Sequence, residues 1–181
     1  MTAPETRTVM LYGDDIGRVD YVAHMGTDLT VVNSARVSFN RSAEEMTPRD
    51  AKLIKYLLGG RKDGTRAKPH TSTLEHCVAT LRFKVPLYVR THHIRHRTGS
   101  YNEVSRRYTE ENIEFYLPKT FRKQSENNRQ ASVEVADFNP TVYTAVKAAD
   151  LMESRCVATL QVYKDMLAAG VPREQARGIL P

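Results

Sequence analysis

The residues best suited to chemistry lie at positions 90–107, where the sequence reads RTHHIRHRTGSYNEVSRR. This stretch, called the arginine segment below, holds five arginines and one glutamate, so it carries +4 of the formal net charge of +6. Arginine is planar, binds phosphate or carboxylate through two parallel hydrogen bonds, and keeps its charge at any ordinary pH. The concentration of arginine therefore favours either a compact site for anions or a solvated basic loop, and composition alone does not choose between them.

The spacing inside the arginine segment indicates which anions. Arg95 and Arg97 flank His96, and Ser105 follows after seven further residues. Two arginines on either side of a histidine can meet anionic groups from both sides of a loop, while nearby hydroxyl, amide and tyrosine side chains add hydrogen bonds and stacking surfaces. Glu103 is expected to stay ionised among arginines, which suits it to accept from ribose hydroxyls or to anchor a neighbouring arginine. The set predicts a nucleotide-phosphate site.

Composition excludes several other classes of protein. The chain has 181 residues, of which 40% are hydrophobic and 27% charged, as in ordinary globular domains. It contains two cysteines, too few for a disulfide framework, and lacks both a secretion signal and an apolar run of membrane-spanning length. The sequence predicts one cytoplasmic domain spanning residues 1–181, with no membrane partner.

Two other functions fit part of the arginine segment. A nucleic-acid-binding module would also set arginines and tyrosines against phosphates and bases. The fixed spacing of the basic residues and the near-neutral remainder of the chain favour an enzyme instead. His92 and His96, four residues apart, could share a helix face as metal ligands. Because the surrounding arginines would repel a cation, no metal site is predicted.

Local signals predict two helices in the first half of the chain. Thr27 and Asp28 begin a helix that is expected to end near Arg36. Thr47 suits an N-cap and Pro48 suits the first helical position, so a second helix is expected from there to the glycine pair that begins at Gly59.

Alternating polarity predicts the strands. The clearest is Cys77–Val85, whose odd positions are apolar, and shorter strands are expected at Val9–Tyr12 and Ile113–Tyr116. Residues 61–69 and 119–139 are polar and are expected to be loops.

The second half of the chain is expected to be mainly helical. Pro86 precedes a helical turn over Leu87–His93, and a long helix is predicted from Pro140 to about Ala169, followed by a short turn after Pro172. The elements together predict an α+β fold.

At this point the sequence resembles a known family. RHRTGSYNEVSRRY, beginning at Arg95, is similar to the signature of the flavin-dependent thymidylate synthases, in which Arg-His-Arg is followed by seven residues and Ser. SARVSF (34–39), HTSTLEH (70–76) and VPREQARGILP (171–181) resemble further blocks of that family in the same order. The resemblance implies an α+β fold with a twisted, mainly antiparallel sheet, flanking helices and one long C-terminal helix.

The resemblance also implies a reaction. The family methylates dUMP reductively to dTMP, with methylenetetrahydrofolate as carbon donor, FAD as redox cofactor and NADPH as reductant. It works as a homotetramer whose active sites are shared between subunits.

Site residues follow by position from the same resemblance. The implied FAD contacts are Ser38, His70, Ser72, Arg95, His96, Arg97 and Glu103. The implied dUMP contacts are His92, His93, Ile94, Arg95, Glu103, Val104, Ser105, Arg106, Arg107 and Arg177. Ser105 is expected to position the substrate, because no base that could activate its hydroxyl lies at an obvious spacing.

Two departures from the family pattern bear on activity. The chain ends at Pro181, whereas the arginine that activates the substrate in the family lies beyond that point, so no catalytic residue is assigned. We expect a fragment, a split gene product or a degenerate relative, with weak or absent activity unless a complementing C-terminal piece is present. His92 also replaces the usual glutamine, which is expected to alter contacts with the base.

Overall fold

The structure is a computed structural model that describes residues 7–61, 64–118 and 120–181. Its internal contacts divide the chain into two units. The first contains Arg18–Phe83 and the residues up to Val9, and the second contains Met10–Gly17 and Lys84–Pro181. The single domain expected from the sequence stays a prediction, because this division does not show whether the units fold independently.

Three strands form one sheet in the order β1-β2-β3: β1 (Thr8–Met10), β2 (Arg18–Met25) and β3 (Val78–Lys84). The strand predicted at Val9–Tyr12 is shifted, because Tyr12 has a left-handed φ of 61° and begins a turn. β2 was not predicted, although Val19, Tyr21, Ala23 and Met25 alternate with period two, the signal that identifies a strand.

The two helices predicted in the first half are present as α1 (Asp28–Arg36) and α2 (Pro48–Leu57). Both begin with a capping box in which a threonine N-cap and the third helical residue exchange hydrogen bonds. Short 3₁₀ helices follow at Val37–Phe39 and Thr71–His76. The glycine pair ends α2 as expected, since Gly59 has a φ of 85° that other residues rarely adopt.

A buried carboxylate joins α1 to α2. Asp50 is fully buried and accepts hydrogen bonds from the backbone N–H and the hydroxyl of Thr47, each at 2.8 Å. Arg36 of α1 forms an ion pair with the other carboxylate oxygen. Hydrogen bonds from the Thr47 hydroxyl and N–H, helped by the Arg36 charge, hold the pKa of Asp50 below its ordinary value. The other buried residues of these two helices are apolar: Val31 and Val32 in α1 and Leu57 in α2.

The second unit contains α3 (Leu87–His93), β4 (Lys123–Gln124) and β5 (Ser132–Val133), then β6 (Thr141–Tyr143), β7 (Val146–Lys147), α4 (Ala148–Ala168) and α5 (Arg173–Ala176). A 3₁₀ helix over Arg177–Ile179 continues α5. β4 pairs with β5 and β6 with β7, both antiparallel. None of the helices in the described part of the chain is long and apolar enough to cross a membrane.

The long helix begins later than predicted. Pro140 does not start α4, because the next residues form the β6–β7 hairpin, whose turn includes Ala145 with a φ of 65°. The Pro140 carbonyl accepts from the N–H of Ala148, and the Asn139 side chain accepts from the N–H of Ala149, so both residues cap the helix across the hairpin.

Two other sequence predictions for this unit were wrong in part. Ile113–Tyr116 pairs with no strand among the described residues, and its Tyr116 ring instead packs against the ring of Tyr12 at a centroid distance of 5.2 Å. The loop expected at 119–139 contains the β4–β5 hairpin, while position 119 lies outside the described residues.

The apolar face of β3 is open to solvent in the single chain. Leu81 and Phe83, which occupy the predicted apolar positions, are each 43% exposed. α4 buries Cys156 and Tyr163 but leaves Val157 exposed. A strand forms where the alternation predicts one, over Val78–Lys84, yet this chain alone does not bury the apolar face that the alternation marks.

We predict that Asp50→Asn lowers the melting temperature by roughly 5 °C or more, because it leaves the Arg36 guanidinium without its anionic partner. The folded-state pKa of Asp50 lies below the ordinary 3.8, so its ionised form stabilises the fold above that pH. This contribution disappears as the pH falls through the folded-state pKa. Thermal melts of both proteins between neutral pH and acid should therefore converge below pH 3.8.

The matched control is Asp137→Asn, an exposed aspartate whose left-handed φ of 52° asparagine also tolerates. It should leave the melting temperature unchanged. If Asp50→Asn melts like the control at neutral pH, the buried pair does not stabilise this unit.

Candidate functional site

The arginine segment begins on α3 and continues through a tight turn. The N–H groups of Ile94, Arg95 and His96 donate to the carbonyls of Arg90, His92 and His93, at 3.1–3.2 Å. Three of the last residues of α3 are basic (Arg90, His92, His93), which suits the negative end of the helix dipole. Because α3 ends at His93, His92 and His96 do not share a continuous helix face.

Tyr101 closes the loop that carries Arg95 and Arg97. Its hydroxyl donates to the carbonyl of His96 at 2.8 Å, and its ring lies edge-on to the ring of His93 with centroids 5.3 Å apart. Gly99 makes room for this ring, since a Cβ there would lie 2.9 Å from the Tyr101 hydroxyl. The sequence suggested a stacking surface for a ligand, but the structure shows a side chain that fixes the loop.

Glu103 is paired with an arginine that was not among the predicted site residues. Arg90 donates through Nε to one carboxylate oxygen at 2.6 Å and through Nη2 to the other at 2.5 Å. Two parallel hydrogen bonds fix the carboxylate plane as well as its position. Of the two uses expected for Glu103, anchoring an arginine is the one the geometry shows.

The last two arginines of the segment are also engaged. Arg106 donates to the carbonyls of Glu111 and Asn112 at 2.6 and 3.2 Å. Arg107 forms an ion pair with Glu174 at 3.4 Å, and its guanidinium lies 5.9 Å from the ring centroid of Tyr108. The hydroxyl of Ser105 accepts from the N–H of Arg107 at 3.3 Å, a local contact that shapes the turn.

Three of the predicted site arginines remain without a partner. The side chains of Arg95, Arg97 and Arg177 are exposed, and none forms a hydrogen bond or ion pair within residues 7–61, 64–118 and 120–181. An unpaired guanidinium offers all five of its N–H donors to an external anion. The structure thus separates arginines that hold the loop from arginines that are available to a ligand.

The predicted residues that precede the arginine segment in sequence belong to the first unit. Ser38 lies in the 3₁₀ helix Val37–Phe39, and Ser72 lies in the one at Thr71–His76, where both are exposed. His70 precedes the second of these helices, and its ring stacks on Tyr56 with centroids 5.8 Å apart. The Tyr56 contact was not predicted, because it joins residues of two separate elements.

The remaining predicted residues lie next to the arginines in sequence, within the part of the arginine segment that belongs to the second unit. His92, Val104 and His96 are exposed, whereas His93 at the end of α3 and Ile94 directly after it are half-buried. Nowhere in the described part of the chain do three or more histidine, cysteine, aspartate or glutamate side chains form a group that could hold a metal ion. The geometry therefore gives an α+β chain on which three predicted site arginines are exposed and unpaired, as a candidate site for anions requires.

Comparison with known proteins identifies the family. A family model described as thymidylate synthase complementing protein matches residues 20–181. The flavin-dependent thymidylate synthase of Thermosipho africanus is 39% identical over 168 residues, covering 92% of this chain and 68% of that protein. The one from Pseudothermotoga lettingae is 36% identical over 167 residues, covering 92% and 66%.

A solved structure agrees with these relatives. The UMP/dUMP methylase PolB from Streptomyces cacaoi, bound with 5-Br dUMP, matches with a TM-score of 0.66 and 25% identity, over 98% of this chain and 69% of that one. The chain belongs to the flavin-dependent thymidylate synthase family, and the α+β fold expected from the sequence is confirmed. It spans about two thirds of the length of the relatives named above.

We predict that the hydrogen bond from the Tyr101 hydroxyl to the His96 carbonyl stabilises the loop measurably. Tyr101→Phe should lower the free energy of unfolding by about 0.5–1 kcal/mol, the usual net value of one hydrogen bond. Gly99→Ala should have at least this effect, because the new methyl group displaces the same hydroxyl. Denaturant unfolding of each variant measures both changes.

Tyr108→Phe is the matched control, since the Tyr108 hydroxyl has no hydrogen-bond partner among the described residues. Its free energy of unfolding should equal that of the wild type. Equal stability of Tyr101→Phe and the wild type would show that this hydrogen bond contributes nothing to the free energy of unfolding.

Proposed function

We propose that this chain binds FAD and dUMP and serves the reductive methylation of dUMP to dTMP, with methylenetetrahydrofolate as carbon donor and NADPH as reductant. The observation that carries the proposal is the set of three exposed, unpartnered guanidinium groups of Arg95, Arg97 and Arg177. Membership of the family supports the identity of the ligands. We place the reaction in the cytoplasm, as the sequence predicts.

The charges of the two ligands match the available cations. FAD carries a diphosphate and dUMP a monophosphate, and neighbouring anions repel unless fixed cations lie between them. Arginine supplies such cations without loss of its proton. We assign Arg97 to FAD, Arg177 to the dUMP phosphate, and Arg95 to both.

Other residues complete the two sets. Ser38, His70, Ser72 and His96 would contact FAD. The stack of His70 on Tyr56 supports this role, because it holds the imidazole in one orientation. FAD, when bound, supplies the redox chemistry, and the residues of this chain bind and orient both ligands.

The rest of the arginine segment is proposed to line the dUMP subsite. Ser105 and Arg106 would position the nucleotide, and Glu103, held by Arg90, would accept hydrogen bonds through its remaining lone pairs. His92, His93, Ile94, Val104 and Arg107 complete the set implied by the family pattern.

We also propose that the chain assembles as a homotetramer with shared active sites. The support is the apolar face of β3, where Leu81 and Phe83 are half-exposed in the single chain. Apolar faces of this kind are typical of surfaces that another protein surface covers.

Arg97→Ala tests the flavin site. We expect FAD affinity to fall about 10-fold or more, because charge-assisted hydrogen bonds to phosphate are lost. The melting temperature of the ligand-free protein should not change, since Arg97 supports no other described residue. Flavin fluorescence titration and a thermal melt measure the two quantities.

Arg129→Ala is the matched control, because it removes the same charge from another exposed arginine of the same unit. It should bind FAD like the wild type. Unchanged FAD affinity in Arg97→Ala would contradict the assignment.

Turnover is measured separately from binding. Formation of dTMP from dUMP that depends on NADPH and methylenetetrahydrofolate would establish the reaction for this chain alone. Binding of FAD and dUMP without turnover would favour the alternative, in which a complementing C-terminal piece is needed. A chain that instead bound nucleic acid, with affinity falling steeply as salt rises, would contradict the enzyme proposal.

Leu81→Glu tests the proposed assembly. A charge on the exposed apolar face of β3 should shift the sedimentation coefficient toward that of a single chain, because burying an unpaired carboxylate is costly. Thr80→Glu, one position earlier on β3, is the control and should sediment like the wild type. Identical sedimentation of Leu81→Glu and the wild type would exclude this face from the interface.

A further inference from the structure

Two ion pairs connect the stretch that follows Ser105 with α5. Arg107 pairs with Glu174 at 3.4 Å, and Glu110 pairs with Arg173 at 3.3 Å. The two stretches run in opposite directions at these contacts, since Arg107 pairs with the later Glu174 and Glu110 pairs with the earlier Arg173. The two pairs have opposite polarity, so sliding one stretch along the other would bring like charges together.

The side chains of Glu110 and Arg173 are half-exposed, so the pair itself is only partly surrounded by other residues. A cavity of about 430 Å³ lies beside it, bounded by Glu110, Arg173 and the end of α4 near Leu167. One half-exposed ion pair is worth only about 0–1 kcal/mol to global stability. Beside a cavity, however, the same energy can decide where α5 lies relative to this stretch.

Arg177 is attached to this pair by one helical turn. Its N–H donates to the carbonyl of Arg173, and residues four apart on a helix lie about 5–6 Å from each other. Ala176, fully buried, anchors the same turn. The position of Arg173 therefore sets the position of Arg177.

Glu110 has a second effect on Arg177. Without a partner, Arg173 would be another free cation on the same face, and it would compete with Arg177 for any phosphate. With Glu110 in place, Arg173 is neutralised, whereas Arg177 on the same turn has no partner among the described residues.

We propose that Glu110 and Arg173 are positioning residues that hold Arg177 in place to bind the phosphate of dUMP. The inference rests on the proposed function, because it takes dUMP as the ligand. Neither residue touches the nucleotide in this proposal, and both act through Arg177.

Charge reversal tests the pair. Glu110→Arg, Arg173→Glu and the double variant are titrated with dUMP in the presence of excess FAD. Each single reversal should weaken dUMP binding about 3- to 10-fold, because it places like charges together and moves α5. The double variant restores an ion pair of opposite direction and should bind within about twofold of the wild type.

The direction in which Glu110→Arg changes the dUMP affinity distinguishes positioning of Arg177 from a simple electrostatic field effect. A field effect would make this variant bind dUMP more tightly, since it adds positive charge near the phosphate. Positioning makes it bind more weakly. Glu126→Arg and Arg129→Glu make the same charge changes elsewhere in the unit and should leave the dUMP affinity unchanged.

Tighter binding by Glu110→Arg, or a double variant as weak as either single one, would overturn the inference while leaving the proposed function intact. A wild-type chain that binds no dUMP contradicts the proposed function itself. Melting temperatures of all three variants should stay within a few degrees of the wild type, as expected for half-exposed pairs.

Discussion

The permanence of arginine charge is the constraint on which the candidate site depends. An arginine cannot give up its proton, so each one in a loop is paired with an acceptor, hydrated by solvent or available to a ligand. Here the carboxylate of Glu103 neutralises Arg90, and that of Glu174 neutralises Arg107. The backbone carbonyls of Glu111 and Asn112 accept hydrogen bonds from Arg106. In the proposed site, selectivity for anions would depend as much on the arginines that are paired as on those that are not.

This distribution requires a fixed backbone. The basic residues in the last turn of α3 lie at the negative end of its helix dipole, which favours them. The turn after His93 is held by the hydrogen bond from the Tyr101 hydroxyl to the His96 carbonyl. A flexible loop would let an unpaired arginine reach a neighbouring carboxylate and lose its availability. The hydrogen bond of Tyr101 and the small size of Gly99 fix the loop, and in the proposed site they would keep the unpaired arginines from pairing internally.

The sequence was sufficient for features whose causes are local. Caps at Thr27 and Thr47 marked the helix starts, and alternation marked β3, because each signal lies within the element it defines. The helix start predicted at Pro140 was wrong because the cause is not local. The Pro140 carbonyl accepts from the N–H of Ala148, so it caps α4 from the other side of the β6–β7 hairpin. The arginine segment was visible as composition. The pairing of Arg107 with Glu174 was not, because residues so distant in sequence meet only through the fold.

Burial was the property that the sequence predicted least well, and the exposed face of β3 explains why. Alternation identifies which side of a strand is apolar but not what covers it. If other copies of the chain cover it, folding and assembly are linked by mass action, and apparent stability rises with protein concentration. A residue of the anion site then differs from a residue of the interface in one respect. Loss of the former weakens ligand binding at every concentration, whereas loss of the latter weakens it mainly in dilute solution.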